Sequence, residues 1–173
     1  MFVRSNAAIA ALALLGSAAL AQGVKPTDPQ IAHIAYTAGV IDIAAAKQAL
    51  AKTGNKEIRT FAQDMLRDHE AVNKQALELL KKLKVSPEDN DTSRTLSKNA
   101  ADKRAELDNL KGAAFDRAYI ANEVAYHQAV DSALETTLIP NSNNADLKNL
   151  LQTGLKIFQG HEQHAEHVAA SLK

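Results

Sequence analysis

The order of helix-breaking residues limits what this chain can fold into. Glycines, prolines and capping residues separate long segments rich in Ala, Leu, Lys, Glu and Gln, which are strong helix formers. These segments predict helices over about residues 29–53, 56–85, 92–110, 113–138 and 144–172. The first two are joined tightly, and so are the last two. A connection of roughly 25 residues, much longer than usual between helices, separates the two pairs.

Short, long and short connections are what a four-helix bundle with one crossover requires. The prediction is an all-α, ferritin-like bundle, in which the long crossover carries the accessory helix over 92–110. A chain of 173 residues is typical of one domain, which we place at residues 22–173.

The first 21 residues have the pattern of a secretory signal peptide. Arg4 precedes an apolar stretch from Ala7 to Leu20, and small residues near its end predict cleavage after Ala21. The stretch is shorter than the about 20 residues that a transmembrane helix needs, although a retained anchor is the alternative. No later segment is apolar enough to span a bilayer. Export is therefore predicted, with the periplasm as the destination in a host with two membranes.

Composition excludes several kinds of function. The chain has no cysteine, so disulfides, thiol catalysis and thiolate metal sites are ruled out. Its 20 basic residues balance 20 acidic residues, which gives no electrostatic case for binding nucleic acid. No nucleophile elbow or phosphate-binding glycine loop occurs, and no catalytic residue is predicted. A protein partner or a homo-oligomer stays open.

Each long helix carries a polar side chain on its apolar stripe. At about 100° per residue, the residues predicted to point inward are Asp42, His69, Glu123, His127 and His161. Counting from the tight turns puts Asp42 within about three residues of the level of His69, and Glu123 nearer than His127 to the level of His161. Glu162 and His164, at the edge of the last stripe, are weaker candidates. Asp68 is expected to orient His69 or to cap a neighbour.

Buried imidazoles and carboxylates need partners, and two kinds of partner are open. The cluster can bind a divalent transition metal, since these ligands suit Zn, Fe, Mn or Cu. It can also form a hydrogen-bonded network without metal. A ferritin-type di-iron oxidase is disfavoured, because Leu66 and Val124 stand where a Glu-x-x-His motif would need glutamate before His69 and His127.

Three stretches resemble a known family. They are GVIDIAAAKQALAKTGNKEIRTFAQDMLRDHEAVN, LKGAAFDRAYIANEVAYHQAV and LKNLLQTGLKIFQGHEQH. They are similar to the bacterial domain of unknown function 4142, whose members are exported, ferritin-like helical bundles often labelled outer-membrane proteins. The resemblance implies a similar fold, export and an association with the outer membrane. It also implies that His69, His127 and His161 are pattern residues, whereas Asp42 replaces the usual glutamate.

Three functional hypotheses follow. The first is an exported bundle with a metal-binding polar centre. The second is a metal-free structural or interaction bundle of the cell envelope, with a role in stress. The third is a metal-dependent redox enzyme, which would need turnover with peroxide or ferrous iron to support it.

Overall fold

Helices make up all the regular structure of the described residues. The computed structural model describes residues 25–172, and within them the predicted all-α helical bundle is confirmed. The elements are α1 (Asp28–Lys52), α2 (Lys56–Leu83), α3 (Asp91–Asp108), α4 (Gly112–Ala133), a π-helical turn (Leu134–Leu138), α5 (Ile139–Asn141) and α6 (Ala145–Ser171). The predicted signal peptide, 1–21, lies outside the described residues.

Side-chain caps fix where the helices begin. Asn55, Asn90 and Asn144 each accept hydrogen bonds from backbone N–H groups in the first turn of α2, α3 and α6. Thr27 caps α1, its side chain accepting a hydrogen bond from the backbone N–H of Gln30. Asp28 accepts backbone hydrogen bonds from Asn143 and Asn144, both of 2.9 Å. The start of α1 is therefore fastened to the start of α6.

The four long helices pack around one interior. α1 pairs with α2, α4 pairs with α6, and the pairs meet through α2 with α6 and α1 with α4. The accessory helix α3 lies against α1, where Gln48 Nε2 donates to the Arg104 carbonyl over 2.8 Å. No helix within residues 25–172 combines the length and the apolar character that crossing a membrane requires.

The third long helix is less regular than the predicted helix over 113–138. α4 ends at Ala133, and the chain continues through one π-helical turn into the single turn α5. Pro140 lies in α5 and has no N–H to donate to the turn before it. The helix is therefore wider for one turn near its C-terminal end, and single π turns of this kind are frequent at functional sites.

Two apolar clusters fill the interior, and a polar layer separates them. The first, nearer the α1–α2 turn, includes Phe61, Met65, Phe115, Tyr119 and Ala165. The second, at the other end, includes Ile31, Leu80, Leu134, Leu151 and Phe158. In every long helix a buried acid or histidine falls between the residues of the two clusters. The core is therefore interrupted at one level, across all four helices.

Candidate metal centre

Five buried polar side chains make up this polar layer. They come from all four long helices, and none is more than 7% exposed: Asp42 of α1, His69 of α2, Glu123 and His127 of α4, and His161 of α6. Because each occupies an inward position of a regular helix, packing of the neighbouring apolar turns fixes its height.

The carboxylate of Asp42 is the meeting point of two imidazoles. Its Oδ2 atom lies 2.8 Å from His69 Nε2 and 3.3 Å from His127 Nε2. Neither approach has the alignment of a hydrogen bond, and these three buried atoms have no hydrogen-bond partner among the described residues. Two ligands of one metal ion lie about 3 to 3.5 Å apart when each is about 2.1 Å from it. The separations around Asp42 are close to that range.

Hydrogen bonds fix which nitrogen of two histidines is protonated. His127 Nδ1 donates to the Glu123 carbonyl oxygen over 2.9 Å. His161 Nε2 donates to the Asp68 carboxylate over 3.1 Å. Since a carbonyl and a carboxylate can only accept, His127 Nε2 and His161 Nδ1 of the neutral rings carry lone pairs. Both of those nitrogens are buried without a partner among residues 25–172.

Ligand atoms also come close enough together for a small ion. One nitrogen from each of His69, His127 and His161 lies within 4.8 Å of the other two. A second set, Asp42, Glu123 and His127, satisfies the same limit, and His127 belongs to both sets. Ligands of one metal ion lie closer together, about 3 to 3.5 Å apart, so these side chains would move inward to share an ion.

Electrostatics favour one ionised carboxylate, that of Asp42, and neutral rings at His127 and His161. Burial alone would raise the pKa of Asp42, but His69 and then His127 outweigh it and lower the pKa to about 2. Burial, and then the charge of Asp42, raise the pKa of Glu123 well above its usual range, so Glu123 keeps its proton. Burial lowers the pKa of His127, and that of His161 to about 4. Ionised carboxylate and neutral imidazole are the forms that bind metals.

Aromatic rings pack within and against the layer. The ring of Phe158 stacks on His69, with centroids 4.6 Å apart and planes inclined by 10°. The His161 ring lies 5.3 Å from His69 and 5.5 Å from His127, centroid to centroid. In such a low-dielectric environment, charge interactions within the layer are stronger than they would be in water.

The structure brings together five of the seven candidates. The two weaker candidates lie elsewhere. His164 is 37% exposed, and its Nδ1 atom is 4.0 Å from Asp64 Oδ2. Glu162 faces the Asp131 side chain, between α4 and α6. The position along the helix favoured Glu123, and the family resemblance favoured His127. Both residues lie in the layer.

Two acidic residues near the layer differ from the sequence interpretation. Asp68 contacts His161 and not His69, because adjacent residues on a helix point about 100° apart. Arg67 holds the Asp68 carboxylate from outside, with Nε at 2.7 Å and Nη2 at 3.0 Å. Asp131 was not singled out, although it stands one helical turn after His127 and is only 5% exposed. This spacing places Asp131 on the same face of α4 as His127, and it is the sequence signal that could have identified Asp131.

One family comparison gives a match. The model of a family described as "Domain of unknown function (DUF4142)" matches residues 13–168. No curated protein and no solved structure matches the chain. The match covers all the residues of the polar layer and brings with it no described activity.

Proposed function

The chain belongs to the DUF4142 family, and we propose that it binds a divalent transition-metal ion at the centre of the bundle. The ion would be held by three imidazoles and one carboxylate, those of His69, His127, His161 and Asp42. The observation that carries the proposal is the pair of lone-pair nitrogens, His127 Nε2 and His161 Nδ1, buried without partners. The other nitrogen of each ring donates a hydrogen bond to Glu123 or Asp68. The proton therefore cannot move to the inward nitrogen without breaking that hydrogen bond.

A cation explains this layer better than a hydrogen-bonded network does. The two lone-pair nitrogens and the Asp42 carboxylate are all acceptors buried in the same layer, and His127 Nε2 lies 3.3 Å from Asp42 Oδ2. A buried acceptor without a donor costs about 1–3 kcal/mol, so several of them in one layer would be a large loss for a small domain. One ion accepts lone pairs from all of them at once.

The ligand set favours a transition metal over calcium or magnesium. Imidazole nitrogen suits Zn, Cu and Fe, whereas calcium and magnesium prefer oxygen alone. Glu123 would support the site in its protonated form, donating to Asp42 and so holding that carboxylate in place. Asp68 would do the same for His161 from the outside.

Metal analysis of the purified protein tests the proposal. We expect close to one equivalent of Zn²⁺ or Co²⁺ per chain after loading and dialysis, and loss of that equivalent when His69→Ala and His161→Ala are combined. His164→Ala is the matched control, because this histidine is on the same helix but outside the layer. Equal, substoichiometric metal in the wild type and the double variant would reject the proposal.

One contact favours a metal-free bundle as the second candidate. His69 Nε2 lies 2.8 Å from Asp42 Oδ2, which is close enough for a buried ion pair if His69 is protonated. Chelation would then leave the melting temperature unchanged. A metal at a hundredfold excess over its Kd adds about 2.7 kcal/mol, or about 5 to 10 °C, which chelation would remove. Turnover with peroxide or ferrous iron is the separate test for the redox enzyme.

The proposal includes a ferritin-like arrangement and a location outside the cytoplasm. The short, long and short connections support the first, since α1 and α2, and α4 and α6, are the closely joined pairs. The leader pattern at residues 1–21 supports the second. Mass spectrometry of protein recovered from the cell envelope should find Gln22 as the first residue. An intact leader in that fraction would argue against cleavage.

A further inference from the structure

An open groove between α1 and α2 holds the most exposed large apolar side chains of the described residues. Val40 of α1 and Leu77 of α2 are 42% and 46% exposed, and no other large apolar side chain among residues 25–172 is exposed. Both line one groove of about 390 Å³, which Tyr36 and Ile43 of α1 also line. Apolar side chains gathered in a surface groove and rimmed by polar residues are typical of protein-interaction sites.

Charged residues of alternating sign rim this groove along α2. In order along the helix they are acid, base, acid and base: Glu70, Lys74, Glu78 and Lys81. Their spacings of four, four and three residues place them on one face of the helix. The pattern is complementary to itself when it is reversed, because a second α2 running in the opposite direction offers a base to each acid. A parallel second helix would place like charges together.

Both complementary pairs specify the same symmetry axis. When a two-fold axis relates two identical helices, residues at equal distances on either side of the axis meet across it. Glu70 and Lys81 have their midpoint between positions 75 and 76. Lys74 and Glu78 have theirs at position 76, which is less than about 1 Å away along the helix. One axis therefore satisfies both pairs, and it passes beside Leu77.

We propose that this groove is a homodimer interface, in which α2 of one copy lies antiparallel to α2 of a second copy across a two-fold axis near position 76. Leu77 and Val40 of the two copies form its apolar centre, and the four charged residues form its rim, which is the usual anatomy of a protein interface. The signs balance along the rim, so it offers no attraction to nucleic acid or to an anionic membrane surface. The inference does not depend on a metal in the polar layer.

The alternative is that the alternating charges serve only to stabilise their own chain. Lys74 Nζ lies 3.9 Å from Glu78 Oε1, and Lys47 Nζ lies 3.4 Å from Glu70 Oε1. Each of these four side chains is more than half exposed, and ion pairs this exposed contribute little because water screens them. They also leave the exposed Leu77 unexplained, whereas a second copy covers it and adds opposite charges across the axis.

Sedimentation equilibrium of the purified protein tests the proposal. A face of about three helical turns is smaller than a standard interface of about 1,600 Å², so protein concentrations up to about 1 mM are needed. We expect a reversible monomer–dimer equilibrium, and a dissociation constant at least tenfold larger in Leu77→Asp. Ala121→Asp is the control, because it adds the same charge at an exposed position of α4 outside the groove, and it should dimerise as the wild type does. A wild type that stays monomeric, or equal dimerisation of Leu77→Asp, would overturn the inference and leave the groove to another occupant.

Charge exchange tests the antiparallel geometry. Glu70→Lys places two bases opposite each other and Lys81→Glu places two acids opposite each other, so each variant alone should dimerise at least tenfold more weakly than the wild type. Mixed in equal amounts, the two variants should form a heterodimer of wild-type affinity, because every opposed pair then has opposite signs. Native mass spectrometry with one variant labelled with ¹⁵N identifies this heterodimer, whose formation also shows that both variants are folded. A mixture that dimerises no better than its components would overturn the inference.

Discussion

Replacing His161 by glutamine should make the metal-free protein less sensitive to acid. The pKa of His161 is lowered to about 4 in the folded protein, chiefly by burial, from an ordinary 6.5. Above pH 6.5 the ring is neutral in both the folded and the unfolded chain. Between pH 6.5 and 4 only the unfolded chain takes up the proton, so the folded state loses stability as the pH falls.

The size of this effect follows from the two pKa values. They differ by about 2.5, and each pKa unit corresponds to about 1.36 kcal/mol, so His161 should contribute a loss of about 3 kcal/mol on acidification. Glutamine does not titrate and is similar in size. The free energy of unfolding of the wild type should therefore fall by about 3 kcal/mol relative to His161→Gln between about pH 7.5 and pH 4.

The comparison with the variant is essential because other groups titrate too. Asp131, whose pKa is raised to about 7, gains a proton on folding and is expected to add stability as the pH falls below that value. Asp42, with a pKa of about 2, loses its contribution only below an ordinary 3.8. These terms are common to the wild type and His161→Gln, and largely cancel in the difference.

Urea denaturation followed by circular dichroism, in chelator and at several pH values, measures the difference. His167→Gln is the control, because this histidine is exposed on the same helix. Its free energy of unfolding should follow the wild type at a constant offset. If His161→Gln also follows the wild type at a constant offset, His161 is accessible to protons in the folded state. The reasoning from burial would then be wrong.

Two matched pairs of variants test the packing around the polar layer. Tyr119→Phe should change the free energy of unfolding by less than about 1 kcal/mol, because the buried hydroxyl of Tyr119 has no hydrogen-bond partner in residues 25–172. Tyr126→Phe should lower it by about 1 kcal/mol, because the variant loses a 2.9 Å hydrogen bond to a carbonyl of α1. Urea denaturation at neutral pH measures both. Gly39→Ala should lower the free energy of unfolding by about 1–3 kcal/mol, because the new Cβ would lie 2.3 Å from Asn73 Oδ1. Gly160→Ala should raise it by up to about 1 kcal/mol through helix propensity, because the new Cβ would meet no atom within 4 Å. A higher melting temperature for Gly39→Ala than for Gly160→Ala would contradict this prediction.

Much of the fold can be predicted from local sequence. The apolar stripes are set by the helical period, and caps such as Asn55 and Asn144 mark where helices begin, so the number and order of the long helices follow without any tertiary information. The π-helical turn was not predicted. Its residues have the composition of an ordinary helix, and only Pro140, just beyond it, hints at a change.

The site is less predictable because it depends on how separate helices are aligned. Inward positions identify Asp42, His69 and His161 one helix at a time, but the level of one helix pair against the other is set by packing. For this reason the partner of Asp68 could not be derived. Its neighbour in sequence is His69, whereas its neighbour in space, at 3.1 Å, is His161 of another helix.

The attachment of Asp28 to Asn143 and Asn144 has a consequence for how the bundle forms. These partners are separated by 115 and 116 positions in the chain, so the two hydrogen bonds close one of the longest loops in the molecule. Loop closure of this kind is slow relative to the formation of a helical hairpin. The first helix must therefore wait for almost the whole chain before its N-terminal end is secured. A nascent chain that stops before α6 also lacks His161 and cannot complete the polar layer.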